Sequence, residues 1–264
     1  MIELGWTQVG LSALPLLGIA LLFRLLRLDL DQTLLIGAVR TWLQLTCVGF
    51  ILKGIFTHAR WEWTFLFAGV MIATGVFEVV RRQKHRLRRG KSILLAVFGL
   101  SCAGVLTACY ALVVLVGADP WWTPQYSIPL MGMILGNTMT GIALGMDTFL
   151  AGLVKNRALL ETRLALGTPM ALLMREQLRE SMRTSMLPII NSLAICGIVS
   201  LPGMMTGQIL AGNDPATAVR YQMMIMYMIA TGAACGSLTT LIFLARTLTD
   251  ARERLRLDRI IGCP

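Results

Sequence analysis

Seven stretches of about twenty apolar residues, each the length a membrane crossing requires, leave this chain very few folds. They run Leu4–Phe23, Thr33–Leu52, Trp63–Val80, Ser92–Val116, Ile128 to about Met146, Ser185–Thr206 and Gln222–Ala245. None alternates apolar and polar residues with period two, so β-barrel strands are not expected. In a bilayer every backbone polar group needs an internal partner, and a helix supplies it within one segment. The sequence predicts an all-α, polytopic transmembrane helical bundle of about seven spans, a single transmembrane domain over residues 1–264. Composition agrees: 56% of residues are hydrophobic and 14% charged, against about 25% charged in an ordinary soluble domain. Little chain is left over for a separate soluble catalytic domain.

The net charge of +10 would suit nucleic acid if it were clustered on a soluble face, but its distribution argues for a membrane instead. Alternate loops hold Arg24 and Arg27, the run Arg81 to Lys91, the run Lys155 to Arg183 and the run Arg246 to Arg259, while the opposite loops hold only Arg60 and Arg220. Basic loops stay on the cytoplasmic side, so the N-terminus is expected outside and the C-terminus in the cytoplasm, with 246–264 a basic cytoplasmic tail. Trp6, Trp61, Trp63, Trp121 and Trp122 all fall at the expected outer boundary, where an amphipathic ring is favoured. Only Trp42 does not. The first apolar run follows Glu3, has no basic residue before it and no clear cleavage site after it, and is expected to be a retained span.

One long loop, about 147–184, is not a span and is expected to be a cytoplasmic coupling segment. Gly167 is a helix stop, Thr168 an N-cap and Pro169 a first helical residue by type, so one short helix should end there and a second begin. In the second, Met170, Met174, Leu178, Met182 and Met186 recur every four residues beside a stripe of Arg175, Arg179 and Arg183. That is an amphipathic helix. It serves either as an interfacial anchor on anionic lipid or as a docking element for a cytoplasmic partner. Glu161 followed six residues later by Gly167 resembles the start of the EAA loop through which ABC importers receive the motion of their ATPases. The Leu-Pro expected about a dozen residues on arrives only at Leu187-Pro188.

Charges within spans cost roughly 2.5–3.5 kcal/mol and are usually paired or functional. Arg40 and Glu78 sit in adjacent spans and are expected to pair, or Arg40 to reach the inner headgroups. Asn137 lies mid-span between the small-xxx-small pairs Gly132/Gly136 and Gly141/Gly145. It is expected to bond across a close helix contact or to face a transport path. Pro202 and Gly203 break a helix at depth, which is tolerated only where protein covers it or a cavity opens. Met133, Met204 and Met205 are candidate path residues. Met204 and Met205 are also the best candidates for a soft metal ligand, although Met is equally a flexible core filler. Asp214 before Pro215 is expected to start a turn or cap the last span, and it could attract cations at an exit.

The two histidines, His58 and His85, lie in loops, and no HExxH or GxSxG motif occurs. No catalytic residues are assigned. Gly90-Lys91-Ser92 resembles half of a Walker A motif, but His85 stands where its first Gly belongs and no strand is expected before it. The six cysteines show no metal spacing and are expected to be small buried hydrophobes.

These segments together resemble a known family. Arg40-x3-Gln44-Leu45 with Gly49 and Leu52, IPLMGMILGNTM from Ile128, the LALGTP turn at Leu164 and above all SLPGMMTGQILAGNDPATAVRYQMM, Ser200 to Met224, are similar to the FetB-type permeases. These are membrane subunits of a bacterial iron-export ABC transporter, and a plant branch is linked to aluminium tolerance. The resemblance implies a non-enzymatic, multi-pass permease of the bacterial inner membrane, a homodimer bound to two copies of a separate ATPase that carries ATP and Mg. It implies metal export, usually of iron. Glu161, Gly167, Thr168, Pro169, Arg175 and Arg179 are then the expected coupling residues. Gly132, Met133, Gly136, Asn137, Pro202, Gly203, Met204 and Met205 are expected at the moving interface. The alternatives are an ATPase-independent secondary metal transporter, for which Arg40 and Glu78 make a poor proton relay, and a non-transporting membrane assembly protein.

Overall fold

The computed structural model describes residues 5–58, 60–83, 86–87, 90–250, 255–256 and 259–261. His85 and Cys263, much of the basic tail and the side chain of His58 lie outside the described residues. The chain forms two compact units, residues 1–60 and 61–264.

The first unit is a helical pair, α1 (Trp6–Leu25) and α2 (Asp31–His58), packed on each other. α1 starts where the Gly5 N–H donates to Gln8 Oε1 at 2.7 Å. Arg27 and Asp29 take left-handed φ values of 53° and 54° to turn the chain back within a few residues. Most of its apolar side chains are exposed. Leu14, Leu21, Val39 and Phe50 are examples, and such a surface suits lipid rather than water.

The second unit holds α3 (Trp61–Arg82), α4 (Lys91–Gly99), α5 (Leu106–Tyr110), α6 (Pro124–Lys155), α7 (Arg157–Ala165), α8 (Met170–Ile195), α9 (Gly203–Leu210) and α10 (Pro215–Leu248). Two π turns, Leu100–Val105 and Ala111–Val116, make α4 and α5 parts of one irregular rod. The residue pairs Arg86–Leu87 and Ile260–Ile261, β1 and β2, form a short antiparallel bridge. α6 is the axis, with α3, α8 and α10 packed on it. It has 32 residues, about 48 Å at 1.5 Å per residue, which exceeds the ~30 Å hydrocarbon core.

The segments alternate in direction. α3 starts where Phe65 meets Trp121, 5.9 Å between ring centroids, and ends where Gln83 Nε2 donates to Met146 Sδ at 3.2 Å. α8 returns antiparallel to α6, with Gln177 beside Thr148 and Ser185 beside Gly141. α10 then descends beside both. One end of the unit thus gathers Trp61, Trp121 and Trp122. The other gathers Arg82, Lys91, Lys155 and Arg163, as the sequence predicts for two membrane faces. We call these the Trp end and the basic end.

Among the described residues, six helices are long and apolar enough to cross a membrane, and this corrects the expected Ser185–Thr206 span. No single helix covers it. The second half of α8 ends at Ile195, the chain turns through Cys196–Ser200 with Gly197 at φ 84°, and α9 follows. The first half of α8 carries Arg175, Glu176, Arg179, Glu180 and Arg183, so the helix as a whole is too polar to count as a span, although it still returns the chain to the Trp end. Residues 147–155, expected in the coupling segment, continue α6, because Phe149, Leu150 and Leu153 are fully buried. The cysteines also depart from expectation. Cys47 and Cys235 are exposed, and Cys102, Cys109 and Cys196 are half-buried, all free thiols. A two-residue strand does precede Gly90, and Ser92 Oγ accepts the Leu87 N–H at 3.0 Å. Gly90-Lys91-Ser92 is thus a helix-starting turn.

Candidate functional site

α8 runs from an elbow at the basic end to a chain break at the Trp end, and α9 beyond the break borders a cavity. At the elbow α7 stops as its sequence dictates. Gly167 sits at φ +87°, its N–H donates to the Leu164 carbonyl at 3.0 Å, and the Thr168 N–H donates to the Arg163 carbonyl at 3.0 Å. This double bond pattern around a left-handed Gly is a Schellman stop. Thr168 does not cap α8 as expected. Pro169, extended at φ −60°, ψ 137°, is the flanking residue and Met170 the first helical one, with no side-chain cap.

An ion pair closes the elbow. Arg163 donates from both terminal nitrogens to Glu176, at 2.7 and 3.1 Å. The same contact holds the Glu176 carboxyl below the usual carboxylate range and raises the Arg163 guanidinium further. Glu161 pairs within α7 with Arg157 at 2.9 Å. Glu161, Gly167, Pro169, Arg175 and Arg179 are exposed and Thr168 partly so. They border a surface from which Leu159 and Leu166 project, 58% and 81% exposed.

Above the elbow, α8 buries Met170, Leu173 and Met174 in the main core, so the methionine stripe faces protein. A polar seam continues toward the Trp end. Gln177 Nε2 reaches the Thr148 carbonyl at 3.4 Å. Ser185 Oγ donates to the Gly141 carbonyl at 2.8 Å and lies 2.6 Å from Ser237 Oγ. Close approach needs the missing side chains here: a Cβ on Gly141 would stand 2.9 Å from Ser237 Oγ, and one on Gly145 would stand 3.3 Å from both Leu241 and Ser185. Gly141 and Gly145, not Gly132 and Gly136, therefore make the three-helix contact. Gly132 faces the Met71 methyl of α3 at 3.2 Å and Gly136 faces open space. Asn137 Nδ2 donates to the Met133 carbonyl of its own helix at 2.8 Å, rather than across a contact.

Beyond the break at Cys196–Pro202 lies a cavity of about 450 Å³, lined among others by Gln125, Tyr126, Met204, Gln208, Asp214 and Tyr221. Pro202 precedes α9 and Gly203 opens it, which places Met204 on the cavity wall. Met205, about 100° further round the helix, is not on that wall. Asp214 caps α10, its Oδ2 accepting from the Thr217 N–H and hydroxyl, both at 2.9 Å. These bonds, with Arg220 nearby, hold its carboxyl below the usual range. Gln208 Oε1 is covered and has no hydrogen-bond donor among the described residues. No group of three or more His, Cys, Asp or Glu able to hold a metal occurs among the described residues. In α3, Arg82 Nε donates to Glu78 at 3.2 Å and Arg81 lies 4.0 Å from it. Arg40 belongs to the other unit.

The elbow clamp, the Ser185–Ser237 seam and the Gln125, Gln208 and Tyr221 contributions to the cavity escape sequence reasoning. Each joins residues from separate helices whose register only packing sets. The Pro202-Gly203 break was the one usable signal.

A family model described as an uncharacterised protein family, UPF0014, matches residues 6–249. The chain is 36% identical over 230 residues to the UPF0014 membrane protein slr1647 of Synechocystis sp., covering 87% of this chain and 88% of that one. It is 32% identical over 213 residues to Protein ALUMINUM SENSITIVE 3 of Arabidopsis thaliana, covering 81% and 76%. It is 28% identical over 229 residues to a protein of Escherichia coli (strain K12) named "Probable iron export permease protein FetB", covering 87% and 86%. No solved structure matches the chain. The chain is therefore a multi-pass membrane protein that belongs to the UPF0014 family.

Proposed function

We propose that this chain is the membrane permease of an ABC transporter that exports metal ions, iron being the first candidate, with ATP hydrolysis in a separate subunit. The observation that carries the reading is α8: one continuous helix joins the exposed elbow to the chain break at Cys196–Pro202, beyond which α9 borders the cavity. A partner that pushes on Gly167 and the α7 surface moves one end of a rod whose other end meets the break at Cys196–Pro202. Packed helices shift as units rather than deform smoothly, so a displacement at the elbow reaches the Trp end.

In this mechanism the partner ATPase docks on α7 and the elbow through Leu159, Leu166, Arg175 and Arg179. ATP binding drives the elbow in one direction and hydrolysis releases it. Alternating access then comes from α8 and α9 moving against α6 and α10 along the Ser185–Ser237 seam, with Gly132, Met133, Gly136 and Asn137 on the adjoining faces of α6. The Trp end faces outside, the basic end faces the cytoplasm, and the host membrane is a bacterial inner membrane. The working unit is a homodimer. The names of the Escherichia coli and Arabidopsis relatives support a metal cargo.

The test is purification of the native complex in mild detergent, with mass spectrometry of what accompanies the chain. A stoichiometric ABC ATPase whose hydrolysis is stimulated several-fold by Fe(II) or Mn(II) is the expected result. Metal flux through the purified chain without any ATPase would overturn the ABC assignment in favour of a secondary transporter. Neither an ATPase nor flux would leave an assembly protein.

A further inference from the structure

We propose that the outward face of α6 is the surface on which a second copy of this chain packs, and this rests on the homodimer of the reading above. Tyr126, Met133, Gly136, Asn137, Thr140 and Leu144 recur at spacings of three, four and seven and so share one face of the helix. None of the six is buried. Tyr126 is 46% and Leu144 37% exposed, and a Cβ on Gly136 would meet nothing within 4 Å. The face lies between the line of α6 that meets α3, through Gly132 and Met139, and the line that meets α8, through Gly141 and Gly152. From Tyr126 to Leu144 it spans about 27 Å at 1.5 Å per residue, nearly the ~30 Å hydrocarbon thickness.

Its chemistry does not suit lipid. The outward faces of α4 and α5 carry Leu94, Phe98 and Leu106, whereas the middle of this one carries a glycine, an amide and a hydroxyl. Thr140 Oγ1 donates to the Gly136 carbonyl at 3.0 Å and is satisfied. Asn137 is only half satisfied. One N–H donates to the Met133 carbonyl at 2.8 Å, while Oδ1 and the second N–H have no partner among the described residues. Leaving such groups unpaired in hydrocarbon is costly, and polar side chains at this depth join helix to helix.

A second copy is the partner this face fits. Two copies inserted in one bilayer share an orientation, so a two-fold axis along the membrane normal sets their α6 helices side by side and parallel. Each residue then lies at the depth of its own counterpart. Asn137 meets Asn137, and an amide is complementary to itself: the second N–H of each donates to the Oδ1 of the other. Gly136 lets the two backbones approach at that level, and Thr140, one turn on, adds little bulk. A lipid chain offers neither donor nor acceptor, and an unlike subunit would need to place an amide of its own at the same depth.

Disulfide trapping in native membranes tests the contact. In the full-length chain with its six cysteines replaced by Ala, Gly136→Cys, Asn137→Cys and Thr140→Cys should each give a disulfide-linked dimer with copper phenanthroline. Val97→Cys and Leu106→Cys, on exposed positions of α4 and α5 at similar depth, should stay monomeric. Energy transfer between labelled copies in mild detergent should show Asn137→Leu to weaken the dimer by about threefold or more, with circular dichroism unchanged. Asn137→Gln, which keeps the amide, should recover part of the loss. A dimer that traps at Val97 or Leu106 and not along α6, or one indifferent to Asn137→Leu, overturns this inference and leaves the homodimer standing. A chain that photobleaches in single steps in native membranes, as a monomer does, overturns both. A dimer trapped along α6 that co-purifies with no ABC ATPase sustains this inference and sinks the ABC reading alone.

Discussion

The two ends of α6 are packed differently. Near the basic end Phe149, Leu150 and Leu153 are fully buried and join a core with Met170, Leu173 and Leu248. Near the Trp end Tyr126 of the same helix is 46% exposed beside a cavity, and α8 has already given way to the Cys196–Pro202 break. The second core cluster, around Leu112, Ile134 and Ile225, is smaller and edged by the adaptable side chains Met133, Met204 and Met224. One helix thus joins a half that transmits displacement as a solid to a half with space to change shape. Packed interiors carry strain because they hold few voids, and a cavity next to a chain break does not.

The comparison is open to direct attack. Phe149→Ala should lower stability by about 3–5 kcal/mol, the cost of an aromatic-sized void, whereas Tyr126→Ala should change it by no more than about 0.5 kcal/mol. Thermal unfolding in detergent reads both, and equal losses would abolish the distinction between the ends. Gly167→Val forces a β-branched residue into the left-handed region at about 1–2 kcal/mol, with no clash within 4 Å. The inserted protein should accumulate normally while ATP-driven transport falls at least tenfold; normal transport would reduce the elbow to a surface turn.

Ser185→Ala probes the seam between the two halves. Interhelical side-chain bonds in membranes average about 0.6 kcal/mol and reach about 1.7, so a small loss is expected. A double-mutant cycle with Ser237→Ala should show the two changes to be less than additive. The smallest effect belongs to Arg163–Glu176, because solvent screens an exposed pair. Its sign is fixed by pH. Glu176 is depressed, so its contribution is present above the ordinary glutamate range and lost as pH falls through the depressed value. Arg163 is raised, so its share persists until pH passes the arginine range. Stability curves of the native chain and Arg163→Ala should differ at neutral pH and converge in acid.

Where the sequence succeeded, the signal was local. Gly167 stops a helix because the left-handed position that ends α7 suits a residue without a Cβ. Asp214 caps α10 because a carboxylate three residues before the Thr217 N–H is in reach. Four-residue spacing keeps the methionine stripe of α8 on one face as expected, although that face packs on the protein core rather than on lipid. Where the sequence fell short, the cause was competition between segments. Thr168 has the chemistry of a cap, yet its N–H is used to close the Schellman turn. Asn137 has a bonding group suited to a neighbour, yet the Met133 carbonyl of its own helix is nearer. Hydropathy joined Ser185 to Thr206 because it averages over a window, and a Gly197 turn is invisible to an average.

The sequence by itself determined a helical membrane protein with its basic and tryptophan-rich loops on opposite sides, because desolvation and interfacial preference act on each segment independently. Only the tertiary structure decided that Gly141 and Gly145, rather than Gly132 and Gly136, meet α8 and α10. It alone clamped Arg163 to Glu176 across the elbow and gathered Gln125, Gln208 and Asp214 around one cavity. Those outcomes depend on the rotation and register of one helix against another, which close packing sets jointly for all of them.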